Sequence, residues 1–166
     1  MNADVVKVIN RVRKVTDNQR IGVLATSMKG QAYASLMVYI IKEDLSQIIM
    51  VTRRNTRKFL ELKSFPKVAF LIDTRSHTDV FFTATAVVTA LGDAVEADID
   101  DYPALSAKFI ERHEHMAEFV NAEDTVFIMI NVAQYDVVTD FESVKSLYVG
   151  HSDEGITYSV EARASY

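Results

Sequence analysis

The segment from residue 32 to residue 41, AYASLMVYII, constrains the fold most, because as a β-strand it is apolar on both faces. A sheet with one wet face should alternate apolar and polar residues along each strand. Here one face carries Ala32, Ala34, Leu36, Val38 and Ile40, and the other carries Tyr33, Met37, Tyr39 and Ile41. One face therefore lines a core, and the other is covered by a second subunit or by helices of the same chain.

The neighbouring segments predict more strands, joined by short connections. The pattern predicts one strand before residues 32–41, at 21–27, and one after them, at 48–52, with turns at 28–30 and 42–47. Such short connections imply antiparallel pairing. Further strands are predicted at 67–73, at 80–91 and at 125–141, the last as one bent strand or two.

Three helices accompany these strands. Apolar residues recur at helical spacing over 3–16, a short helix is predicted at 56–64 before Pro66, and a long one at 100–120. The chain has 166 residues, of which 49% are apolar, and this length suits one domain over 1–166. We therefore expect a mainly β (α+β) fold, a barrel with flanking helices, in which residues 142–166 form a less certain C-terminal tail.

Composition narrows the possible functions. A net charge of −5 argues against a general nucleic-acid binder, and the absence of cysteine excludes disulfides and thiolate metal sites. The N-terminal residues lack the apolar run of a signal peptide, and no segment approaches the ~20 apolar residues that span a bilayer. We therefore expect a cytoplasmic protein without a membrane partner.

A cluster of cations interrupts this acidic chain within VTRRNTRKFLEL, residues 51–62. Arg53, Arg54, Arg57 and Lys58 fall where a strand is predicted to end and the short helix to begin, with Asn55 or Thr56 as its N-cap. A helix N-terminus prefers anions, so cations in its first turn are unfavourable unless an anion binds there. A bound phosphate would resolve the conflict; the alternative is a solvated basic helix start.

His113-Glu114-His115 is the most metal-like motif, but it does not predict a metal site. Residues two apart on a helix point to nearly opposite sides, so the two imidazoles cannot chelate one ion. We expect a solvated helix face there and no metal in the protein.

The run IMVTRRNTRKFLELKSFPKVAFLID resembles a segment of the flavin-binding split-barrel superfamily, the pyridoxamine 5′-phosphate oxidase-like group. In that family a strand ending in Thr is followed by a basic pair ending in Lys, a short helix, Asn-Pro and an apolar strand. Thr52, Arg57-Lys58, Phe65-Pro66 and residues 68–72 follow that order. The resemblance covers residues 3 to 141.

The resemblance implies a six-stranded antiparallel split β-barrel, a homodimer, and FMN bound at the dimer interface. Arg57 and Lys58 would hold the FMN phosphate, with Thr52 near it. The isoalloxazine ring would lie beside Ser35, Leu36 and Met37 of the second strand and near Val51 of the third. From the residues alone, Met37 and Val51 would be ordinary barrel core.

Two departures from the family make the vitamin B6 oxidase reaction itself unexpected. The oxidase proper has an arginine in strand two, where this chain reads Ala34-Ser35-Leu36, and a C-terminal segment with Trp, which this chain lacks. A third departure concerns the cofactor contacts across the dimer: the family's strand five carries a glycine near its middle, where this chain reads Thr85-Ala86. Relatives bind FMN, a deazaflavin or haem; His77, His113, His115 and His151 are the candidates for a haem ligand.

Three functions follow as hypotheses. The first is an FMN-dependent oxidoreductase acting on a small-molecule substrate, with no catalytic acid or base assignable from the sequence. The second is a non-catalytic flavin or haem binding protein that acts as carrier or sensor. The third is a cofactor-free dimeric module whose cations contact an acidic partner.

Overall fold

A computed structural model describes residues 2–74, 86–139 and 143–164. The helices are α1 (Ala3–Asn18), α2 (Arg57–Ser64), α3 (Tyr102–Arg112) and α4 (Ala117–Val120). The strands are β1 (Ile21–Met28), β2 (Gln31–Ile41), β3 (Gln47–Arg53), β4 (Lys67–Asp73), β5 (Ala86–Glu96), β6 (Thr125–Thr139), β7 (Ser143–Ser152) and β8 (Gly155–Ala164). None of the described helices is long and apolar enough to span a membrane.

The strands form one antiparallel sheet that closes on itself. Its order is β3-β2-β1-β4-β5-β6-β7-β8, and an additional pairing of β3 with β6 closes the first six strands into a barrel. This confirms the predicted six-stranded split barrel. The predicted limits of β1 to β4 are each within one residue of the observed ones, because short turns fix both ends of each strand.

The barrel interior is a continuous apolar core. Leu24, Phe70 and Ile72 are fully buried there, and the rings of Tyr39 and Phe70 meet edge to face with centroids 5.3 Å apart. The apolar face of α1, which carries Val8 and Val12, packs onto the same cluster. The burial of this apolar face is thus the main interaction that stabilises α1.

Strand β5 reaches further than the sequence indicated. Residues 80–85 of the predicted strand lie outside the described residues, and β5 runs to Glu96 with Gly92 near its middle. A Cβ on Gly92 would stand 2.1 Å from the carbonyl oxygen of Asn131, so the close approach of β6 requires glycine. The register skips Ala133 at this point, which makes residues 125–139 a single strand with a bulge.

The predicted helix over 100–120 was wrong in its continuity. Helix α3 ends at Arg112 because His113 leaves helical geometry, with φ −134° and ψ 65°. A 3₁₀ turn at Glu114–Met116 and the short α4 complete the segment. Its apolar face nevertheless packs as expected, since Leu105, Phe109 and Val120 cover the outer face of the sheet over Ile49 and Phe127.

Residues 143–164, within the segment expected to be a tail, form the hairpin β7–β8. Ile156, Tyr158 and Val160 of β8 pack against the inner cluster. Lys145 of β7 pairs with Asp4 of α1 at 2.7 Å. The hairpin thereby extends the barrel by two strands and holds α1 in place.

The outer face of β2 is divided between two environments. Ile40 and Val38 lie under the α3 segment, as predicted if helices of the same chain cover this face of the strand. Leu36, two residues further from α3, is 76% exposed, and Ile21 of β1 is 54% exposed beside it. We call Ile21, Val23, Leu36 and Leu71, which the strand registers place on this same outer face, the outer patch.

Candidate cofactor-binding site

The barrel opens between β2 and β3. These strands pair only through Tyr39, Ile40 and Ile41 of β2, while β3 pairs with β6 along its whole length. Within the described strands, residues 31–38 of β2 therefore have a partner on the β1 side alone. We call the opening between β2 residues 33–37, Thr52 and the first turn of α2 the split.

The edge of β2 presents backbone groups to the split. The N–H of Tyr39 donates to the carbonyl oxygen of Arg20 on the β1 side, at 3.4 Å. Because successive residues of a strand point their hydrogen-bonding groups to alternate sides, those of Leu36 and Val38 point toward the split. A flat, polar ring lying along this edge would find donors and acceptors there.

The four cations of the cluster are not equivalent. Three already have carboxylate partners: Arg53 pairs with Asp124, Arg54 with Glu96 at 2.8 Å, and Arg57 with Glu61 at 2.6 Å. Lys58 has no such partner among the described residues. Of the four cations, only Arg57 and Lys58 lie in the first turn of α2.

The N-terminus of α2 has no side-chain cap. Thr56 occupies the N-cap position, but its hydroxyl donates to the carbonyl oxygen of Arg53 at 2.9 Å and lies 3.1 Å from the hydroxyl of Thr52. The first backbone N–H groups of a helix have no partner within the helix. They therefore remain available to an anion, whose charge the helix dipole favours.

Arg57 reaches across the split. Its guanidinium carbon lies 4.5 Å from the ring centroid of Tyr33 on β2, and its Nε donates to Glu61 Oε1 at 2.6 Å. Hydrogen bonds from Arg57 and Thr26 hold the pKa of the Glu61 carboxyl below its usual range, so it stays ionised. Arg57 is thus held on two sides while its side chain stays half-exposed.

The seven residues expected to bind a cofactor separate into two groups. Thr52, Arg57 and Lys58 adjoin the split, as do Ser35, which is half-buried, and Leu36, which is exposed. Met37 and Val51 are each 5% exposed, Met37 in the inner cluster and Val51 in the cluster under α3. The side chains of these two residues are therefore almost closed to a ligand in the single chain.

Sequence reasoning missed Tyr33 and Glu61 as members of this site. Glu61 carried a usable signal, since it follows Arg57 by four residues and that spacing places two side chains on one helix face. Tyr33 carried none, because only the fold brings β2 against the start of α2.

His113 does not lie on a solvated helix face, so that expectation was wrong. It is 1% exposed, its ring lies 5.0 Å from that of Phe109, and its Nε2 donates to the carbonyl oxygen of Tyr39 at 2.7 Å. Of the other candidates for a haem ligand, His115 and His151 are exposed on separate elements, and His77 lies outside the described residues. No group of three His, Asp or Glu side chains converges in the parts of the chain that the structure describes.

The buried His113 should make stability depend on pH. Burial lowers its pKa below the ordinary value of 6.5, so the folded state binds fewer protons than the unfolded state. The contribution of His113 to the free energy of unfolding should therefore be constant above pH ~6.5 and fall as the pH drops below it. Urea unfolding between pH 7.5 and 5 measures this fall, which should shrink in His113→Gln. An equal fall in both proteins would contradict the assignment.

Comparison with known proteins agrees with this architecture. A model of the pyridoxamine 5′-phosphate oxidase family matches residues 9–139. No curated protein matches the sequence. One similar solved structure is a haem binding protein from Mycobacterium smegmatis, with a TM-score of 0.68 and 14% identity over 95% of this chain and 88% of that chain.

Two further solved structures widen the comparison. An FAD-binding protein from Mesorhizobium loti aligns with a TM-score of 0.62 and 18% identity, over 76% of this chain and 88% of that chain. A protein related to general stress protein 26, of the pyridoxinephosphate oxidase family from Clostridium acetobutylicum, aligns at 0.63 and 11% identity over 94% of both chains. At such identities the likeness shows a shared fold.

Proposed function

Because the chain belongs to the pyridoxamine 5′-phosphate oxidase family, we propose that it binds FMN in the split and acts as a flavin-dependent oxidoreductase on a small-molecule substrate. One observation carries the proposal: an uncapped helix N-terminus bearing Arg57 and Lys58 faces a free strand edge on β2. The first fits a phosphate and the second fits a flat polar ring.

The phosphate would be bound at the start of α2. Arg57 and Lys58 supply charge-assisted hydrogen bonds, and the first-turn N–H groups of the helix supply neutral ones. The net charge of Arg57, Lys58 and Glu61 together is +1, so an incoming phosphate compensates a local excess of positive charge. A deazaflavin with the same phosphate would satisfy these contacts equally, and is the alternative cofactor of the same class.

The ring would lie along β2 beside Ser35, Leu36 and Met37, where backbone groups orient it. FMN, when bound, accepts and donates hydride or single electrons at its ring. The chain's part is to hold that ring, to shield it from water and to leave one face open to the substrate. We assign no catalytic acid or base.

We propose that a second copy of the chain covers the outer patch, giving a homodimer. The patch is apolar, it is left open by α3, and Leu36 belongs both to it and to the border of the split. A partner over Leu36 would therefore also cover the bound ring. Such an arrangement explains why both faces of β2 are apolar.

The second candidate is a non-catalytic flavin or haem binder, a carrier or sensor. The similar FAD-binding and haem-binding structures favour it. Against haem, His113 already donates to Tyr39 and would have to leave the core to bind iron. The third hypothesis, an acidic partner without cofactor, loses support because three of the four cations already pair with carboxylates.

Turnover distinguishes an oxidoreductase from a carrier. The FMN-loaded protein is mixed with excess reduced nicotinamide and a small electron acceptor, and oxidation of the nicotinamide is followed. An oxidoreductase should consume many equivalents of donor per flavin. Consumption of a single equivalent, or of none, would contradict catalysis and favour the non-catalytic carrier.

A further inference from the structure

We propose that Glu61 is a positioning residue, which fixes the orientation in which Arg57 meets a phosphate in the split. This inference rests on the proposed function. It adds a role for a buried carboxylate that touches neither the phosphate nor the ring.

Glu61 is itself rigidly placed. Its side chain is almost fully buried, and both oxygens have partners: Oε1 accepts from Arg57 and Oε2 accepts from the hydroxyl of Thr26 at 2.7 Å. Thr26 lies on β1 and is buried. A buried carboxylate is costly unless its hydrogen bonds are satisfied, so this one keeps both partners. The barrel wall thus fixes Glu61, and Glu61 fixes Arg57.

The hydrogen bond with Glu61 uses the Nε of Arg57. A guanidinium has five N–H donors, of which four are on its two terminal nitrogens. These remain for phosphate oxygens, which arginine can bind in a bidentate manner. The ring of Tyr33, whose centroid is 4.5 Å from the guanidinium carbon, limits the movement of the guanidinium on another side.

An ordinary ion pair between residues four apart would not have these properties. Exposed pairs of that kind contribute little and leave both side chains free to move. Here the carboxylate is buried and tied to a second element, whereas the arginine is half-exposed at the split. Lys58, beside it, has no acid partner among the described residues and acts as a mobile point charge. Arg57 therefore supplies geometry as well as charge, and a fixed donor loses less entropy on binding.

The test compares FMN with riboflavin, which has the ring without the phosphate. Glu61→Met fills the same space without an acceptor, so Arg57 is released, and the preference for FMN over riboflavin should fall about tenfold. Glu61→Gln keeps an acceptor oxygen and should retain the preference within about threefold. Both variants remove the same negative charge, so their difference isolates the positioning.

A double-mutant cycle excludes a general structural effect. In an Arg57→Ala background, Glu61→Met should not lower the preference further, since Glu61 acts through Arg57. Glu118→Ala, which removes an exposed glutamate from α4, is the matched control and should change nothing. Riboflavin affinity should stay constant throughout, which a structural defect would not allow.

Three results would overturn the inference. They are an unchanged preference in Glu61→Met, a preference that rises in both Glu61 variants, and an equal loss in the Arg57→Ala background. If the unmodified protein shows no preference for FMN over riboflavin, the proposed phosphate site fails together with this inference. If the unmodified protein prefers FMN and Glu61→Met shows the same preference, only the inference about Glu61 fails.

Discussion

Replacing Arg57 and Lys58 together by alanine should weaken FMN binding at least about a hundredfold, since each charge-assisted contact contributes a factor of about ten or more. Both residues lie in the first turn of an uncapped helix, where their charge otherwise opposes the helix dipole. Riboflavin, which has no phosphate, should bind the variant as it binds the unmodified protein. Quenching of flavin fluorescence measures both affinities.

The single variants and a charge-matched control make this result specific. Lys58→Ala leaves the ion pair of Arg57 with Glu61 intact, and this single variant should bind FMN about tenfold more weakly. Arg11→Ala with Lys14→Ala removes two exposed cations from α1 and should leave both affinities unchanged. FMN affinity that survives the loss of both Arg57 and Lys58 would remove the phosphate from this site.

Leu36→Asp should convert a dimer into a monomer. Leu36 is largely exposed in the single chain, so an aspartate there leaves the fold of the subunit intact. In a dimer that covers the outer patch, the carboxylate would be buried without a partner, which costs several kcal/mol. The dissociation constant of the dimer should therefore rise more than about a hundredfold. Light scattering after size-exclusion chromatography measures the mass in solution.

Ile99→Asp is the control for the dimer prediction. Ile99 is 67% exposed, comparable to Leu36, but it lies in the connection before α3 and outside the patch. It should leave the mass unchanged. A monomeric unmodified protein, or a Leu36→Asp variant that stays dimeric, would show that the outer patch is not the interface.

The strands were predictable where local chemistry sets their limits. β1 to β4 are separated by short turns or by a Pro-terminated helix, so each end has its own signal. The end of β5 was placed too early, at residue 91, because Gly92 and Asp93 follow the apolar run there and resemble the end of a strand. The close approach of Gly92 to Asn131 joins residues far apart in sequence, and no local pattern reports it.

The position of the basic pair was predictable from the sequence, whereas the ion pairs of the neighbouring arginines were not. The basic pair at the start of α2 carried the family resemblance and lies where expected. Asp124 and Glu96, the partners of Arg53 and Arg54, are brought there by the sheet, so their pairing was invisible to sequence reasoning. His113 was misread because a helix of continuous apolar pattern ends one residue before it. The carbonyl group to which it donates is on β2, so this contact also depends on the tertiary structure.

The most direct test of the central claim is a visible absorbance titration of the purified protein with FMN, with riboflavin in parallel. We expect the two-band flavin spectrum to shift saturably with FMN, at a lower concentration than with riboflavin. No saturable shift, or equal affinities for the two flavins, would contradict a phosphate-anchored flavin in the split.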